Sequence, residues 1–181
     1  MACASCSRPC SPDRAVRFVD FLKATVLLSA ASATFLAALT ILQVREYDEP
    51  TLMEVAIGWW LAAGLIGAWL GRRNAASPPI ARLLADARMQ MSLPEMRPGT
   101  TLLNRLWPLL FSTIGAAALG VFLPQVSAVA AGFAIIWALA WRRQESAVSA
   151  IEQRDGFRFY VDKTAPFAPI RLIRTPGLRT G

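Results

Sequence analysis

The chain has 181 residues, with 19 Lys plus Arg against 12 Asp plus Glu, no histidine, 55% hydrophobic residues, 17% charged residues and a mean hydropathy of +0.41. Soluble domains carry roughly a quarter charged residues, so this composition is too poor in charge to coat a water-facing surface. A net charge of +7 on so apolar a background also argues against a nucleic-acid binder. The expected fold class is an all-α integral membrane protein.

A leader over residues 1–20 precedes the first apolar run and holds all three cysteines, Cys3, Cys6 and Cys10. Their C-x2-C-x3-C spacing suits thiolate ligation, but closed zinc and iron-sulfur sites use four ligands and the chain has neither a fourth Cys nor a His. No metal or cofactor is therefore expected. Reversible acylation, redox reactivity and a mobile leader of no particular function stay open for the three thiols.

A membrane core of roughly 30 Å takes about 20 apolar residues per helix. The charge-free run Ala24 to Val44 supplies the first span (24–44), and Val55 to Gly71 the second (55–71). A cleaved signal peptide is the competing reading of the first run, but signal cores span about 7 to 15 residues and this one is longer. The third run, Leu106 to Trp141, would make a helix of about 54 Å. Pro124 and Gln125 divide it into spans 106–123 and 126–141, with a re-entrant hairpin as the alternative because the second piece is short. The membrane domain is thus 21–141.

Between the second and third spans, Ser77-Pro78-Pro79 opens a helix, and Ile80, Leu83, Leu84, Ala87 and Met91 follow at helical spacing. The expectation is a surface helix over 78–93 with its apolar side in the headgroup boundary, or else packed against other cytoplasmic segments. After Trp141 the basic tail 142–181 continues the fourth helix to a stop at Gly156. Phe157, Phe159 and Val161 then alternate with polar partners as a strand, and Ile170 to Arg174 returns as a second strand, giving a short β-hairpin. Such a hairpin is marginal alone, so it should rest on the surface helix, a second subunit or anionic lipid.

Eighteen of the 19 basic residues fall before the first span, between spans two and three, or after the last span, while Arg45 alone lies in the other loops. Basic residues favour cytoplasmic loops, so both termini are expected in the cytoplasm, N-in/C-in. Trp59 and Trp60 toward the outer end of span two, and Trp69, Trp107 and Trp141 at cytoplasmic ends, read as interfacial anchors. Small residues four apart (Gly64, Gly67, Ala68 and Gly71; Ser29 and Ala33; Ala116 and Gly120; Ala128 and Gly132) allow close helix contact, within one bundle or between subunits.

Only Lys23 and Lys163 are lysines among the basic residues, a bias of GC-rich bacterial genomes. The tail RDGFRFYVDKTAPFAPIRLIRTPGLR, behind four spans, resembles small multi-span membrane proteins of high-GC bacteria. The resemblance covers mainly residues 154–179, implies the bacterial cytoplasmic membrane, and brings no activity with it. Apart from Lys23 and Glu54 at the boundaries, the spans hold no ionisable residue, which counts against proton relays, coupled transport and catalysis. No catalytic, cofactor-binding or metal-binding residue is assigned. The expected role is a structural or regulatory accessory protein presenting its basic tail to a membrane-protein partner or to anionic headgroups of the bilayer; a homo-oligomeric channel or transporter is the alternative.

Overall fold

A computed structural model describes residues 16–47, 50–72, 76–89, 98–162 and 170–176. In chain order they form α1 (Phe18–Tyr47), α2 (Pro50–Leu70), α3 (Pro78–Ala85), β1 (Arg88–Met89), α4 (Pro98–Phe122), α5 (Pro124–Trp141), α6 (Gln144–Asp155), β2 (Phe157–Val161) and β3 (Leu172–Pro176). Four of the helices are long and apolar enough to cross a membrane. Their outward surfaces carry large side chains such as Leu27, Val55, Leu65, Phe111 and Phe122, each at least 70% exposed. Leaving such side chains in water forgoes roughly 1.5–3 kcal/mol apiece, so the bundle is compatible with a multi-pass membrane protein.

α5 lies between the other three, packing on α1, α2 and α4, and α1 also packs on α4. Because lipid is as apolar as leucine, close backbone approach must hold such helices together, and the contact faces are accordingly small: Ser29 and Ala33 on α1, Ala56, Ala63 and Gly67 on α2, Ala128, Ala131 and Gly132 on α5. A Cβ added at Gly67 would lie 2.9 Å from Leu139 Cβ and 3.0 Å from Ile136 Cα. Gly71 lies against the Leu139 carbonyl. Gly64 has open space around it and Ala68 is exposed, so the stripe expected on α2 is only half used.

α4 and α5 are separate helices joined through Leu123 alone, with Pro124 at the first turn of α5, where its missing N–H breaks no hydrogen bond within α5. The 18 residues of α5 span about 27 Å. α1, at 30 residues, is about 45 Å long, more than a bilayer core needs. Its first turns instead belong to a polar cap at one end of the bundle. There Phe18, Val19, Phe21 and Leu22 share a core with Ile80, Leu84, Val148, Phe159, Val161 and Leu172.

The cap matches one expectation and corrects three others. The hairpin expected in the tail is present and carries a third strand: the order is β1-β3-β2, with β1 parallel to β3 and β2 antiparallel to it, Phe159 opposite Arg174 and Val161 opposite Leu172. The helix expected over 78–93 ends at Ala85, since Arg88 and Met89 pair with Ile173 and Arg174 and this non-local pairing overrides a helical pattern. Residues 90–93 lie outside the described ones. The apolar side of α3, Ile80 and Leu84, is buried in the protein rather than turned to headgroups. The fourth helix also breaks at Arg142–Arg143 before α6, which Gly156 closes at φ 69° with its N–H on the Glu152 carbonyl.

The segment before α1 completes the cap. Val161 N–H donates to the Val16 carbonyl at 3.1 Å, and Arg17 bridges Tyr160. Tyr160, expected on a polar face by alternation, is buried opposite Ile173.

Candidate functional site

The cap is fastened to the bundle by buried polar groups that belong to different segments. Glu152 on α6 is 8% exposed, and its two carboxylate oxygens are both engaged: Oε2 accepts from Arg17 Nη2 at 2.9 Å and Oε1 from the Phe159 N–H at 2.9 Å. One side chain therefore ties the entry to α1, α6 and β2 together. Gln144, also buried, accepts the Ser77 N–H at 2.9 Å just ahead of α3. Arg143 donates to the Arg72 carbonyl at 3.3 Å just past the C-terminal end of α2, where a cation complements the helix dipole. Lys23 pairs with Glu145 at 3.0 Å.

A second polar cluster sits at the opposite end of the bundle. Pro124 has no N–H to give the Gly120 carbonyl four residues earlier, and Gln43 Nε2 supplies that donor at 2.6 Å. Ser127 Oγ donates to Gln43 Oε1 at 3.4 Å and lies 2.9 Å from Thr40 Oγ1. Thr113 Oγ1 to Ser32 Oγ, 3.0 Å, is a further interhelical contact of the same kind. Composition gave no hint of Gln43, because a search for charges passes over an amide.

Trp59 and Trp60 do not act as a belt. Both sit halfway along α2, and their indoles donate to α5, Trp59 Nε1 to the Val129 carbonyl at 3.1 Å and Trp60 Nε1 to Ala128 at 2.9 Å. Gly132 makes this approach possible, for a Cβ there would occupy the space of the Trp59 ring. Trp69 is exposed at the end of α2 toward the cap, and Trp141 packs on the cap core.

Between the base of α1, α3, α4 and α5 lies a cavity of about 450 Å³. Phe18, Phe21, Leu22, Leu109, Trp137 and Trp141 are among its wall residues, and among the described residues Arg105 is the only charged one lining it. Pro108, also on the wall, stands inside α4 and withholds a donor from the Asn104 carbonyl. A second cleft of about 370 Å³, between α3 and β3, is lined by Asp86, Arg88, Asp162 and Arg171.

The tail arginines divide into two kinds. Arg174 lies over the Phe157 ring, 5.5 Å from its centroid, and Arg154 pairs with Asp155 at 2.8 Å. That hydrogen bond raises the Arg154 pKa and lowers that of the Asp155 carboxyl. Arg158 and Arg171 are exposed. Arg179 and the cysteines Cys3, Cys6 and Cys10 lie outside the described residues. Among the described residues no three metal-ligating side chains gather. Compared with protein-family models, curated proteins and solved structures, the chain matches none, so its own residues carry the functional reading.

Proposed function

We propose that the protein is a structural or regulatory accessory component of the bacterial cytoplasmic membrane, with both termini in the cytoplasm, that holds a basic, folded cap against the membrane face for a membrane-protein partner. The observation that carries this reading is the polarity of the molecule. Of the described basic residues only Arg45 lies at the end of the bundle away from the cap; the rest lie in the cap or at the helix ends beside it. Charge so divided favours the basic end inside. The cap is built on the bundle through α1 and Glu152, and Arg82, Arg88, Arg158 and Arg171 are exposed on it. Catalysis is no part of this proposal.

Reporter enzymes active only outside the membrane test the orientation: activity when fused near Asp48 and none near Asp86 or after Glu152 is expected, and the reverse pattern refutes it. Purification in mild detergent tests the role. A different protein in fixed ratio, lost in an Arg158→Glu/Arg171→Glu variant whose cap stays folded, supports the accessory reading. A pure homo-oligomer with conductance in planar bilayers replaces it with a channel.

A further inference from the structure

We infer that the cavity beneath the cap is a binding site for one acyl chain of an anionic phospholipid, with the lipid phosphate held by Arg105. The volume, about 450 Å³, falls in the range of small-molecule sites, roughly 300–1,000 Å³. Its chemistry selects an amphiphile. The two hydroxyls in the wall are turned to helix backbone, Thr25 Oγ1 donating to the Phe21 carbonyl at 2.9 Å and Ser112 Oγ to Leu109 at 2.9 Å. What remains facing the space is hydrocarbon and aromatic ring, which holds neither ordered water nor a polar metabolite well.

Against that wall stands one cation. Arg105 already interacts within the chain, but a guanidinium has five N–H donors in a planar fork and engages a phosphate beside an existing partner. Charge complementarity therefore calls for an acidic head on an apolar body. The side of entry is also marked. Four of the lining residues are exposed, Pro108 and Ser112 on α4, Trp137 on α5 and Pro79 on α3, and Phe111 beside Ser112 is 71% exposed. Three of these four exposed residues belong to α4 and α5, so the cavity has an opening on the apolar outer surface of the bundle, the route a bilayer lipid takes. Trp137 and Trp141, with ring centroids 5.7 Å apart, and Arg142 just beyond mark the level of the headgroups.

This inference rests on the reading above in one respect, that the four helices lie in a bilayer; it does not depend on which face carries the cap or on a protein partner. The test is native mass spectrometry of the full chain, stripped of lipid in detergent and titrated with phosphatidylglycerol, phosphatidylcholine, a free fatty acid or glycerol phosphate. One phosphatidylglycerol per chain should be retained at least fivefold more strongly than phosphatidylcholine. Ser112→Trp, which fills the cavity from its exposed rim, should abolish that retained lipid. Arg105→Gln should keep one lipid bound but erase the preference between headgroups, with amide exchange in the cap unchanged in both variants. Equal retention of the two lipids by the unaltered chain, binding untouched by Ser112→Trp, a preference for the fatty acid, or effective competition by glycerol phosphate would each overturn the proposal. The fusion reporters and the co-purification assay read the broader role independently of all four outcomes.

Discussion

Gly132→Ala is the sharpest test of how the bundle is held. A methyl at this position coincides with the Trp59 indole, which is seated on α5 by its hydrogen bond to Val129 and its edge contact with Phe133, ring centroids 5.5 Å apart. Displacing the ring forfeits an interhelical hydrogen bond worth about 0.6 kcal/mol on average in membranes and an aromatic pair worth about 0.5–1.5 kcal/mol. Crowding of a packed interface costs a further 1–3 kcal/mol or so. A destabilisation of roughly 2–4 kcal/mol is expected, read by reversible unfolding in mixed detergent micelles. Gly64→Ala is the matched control: nothing lies within 4 Å of its new methyl, so relief of glycine's helix penalty should leave it neutral or more stable by about 0.5–1 kcal/mol. In a Trp59→Leu background, Gly132→Ala should cost much less. Equal stability of the Gly132→Ala and Gly64→Ala proteins would show that the α2–α5 contact is not set by this glycine.

Gln43→Leu removes the donor that replaces the missing N–H of Pro124, so a loss of about 1–3 kcal/mol is expected in the same unfolding assay, with little loss for Thr34→Val, whose hydroxyl is exposed. Glu152→Ala strands the buried Phe159 N–H and should cost about 1–3 kcal/mol, with faster exchange of that amide. Glu152→Gln keeps an acceptor for Phe159 and loses only the pair with Arg17, whose side chain is 40% exposed, so it should cost no more than about 1 kcal/mol. Replacing Cys3, Cys6 and Cys10 together by Ser should leave insertion and detergent stability unchanged; a metal in near-integer ratio, lost in the triple variant, would point to a site shared between chains.

The bundle was readable because its helices announce themselves as charge-free runs, and the strands of the tail because Phe157 to Val161 alternate. The face that α2 presents was not. Ala62, Ala63, Gly64, Gly67, Ala68 and Gly71 put small residues on adjoining faces, and spacing alone cannot say which of them meets a neighbour. Trp60 decides it: the indole reaches the Ala128 carbonyl only when Ala56, Ala63 and Gly67 lie against α5. The same side chain is not the interfacial anchor that its residue type suggests, since a tryptophan halfway along a helix of this length can donate its indole N–H to a carbonyl of the facing helix.

The cap hid from the sequence for a different reason. Its core draws on residues 16–22, 76–87, 148–161 and 170–172, the first three of which are separated from one another by whole membrane-length helices, and its third strand is only Arg88–Met89, too short to show any period. Arg105 illustrates the cost of reading one property at a time. Counted with the loop charges, it serves only to orient the chain, yet it lies on α4 seven residues past Pro98 in a transmembrane-length helix, between Leu102 and Leu106, both packed on the cap core. A cation placed there must be surrounded by something other than hydrocarbon alone. The position that made it look like a boundary marker is the one that sets a positive charge at the mouth of an apolar cavity.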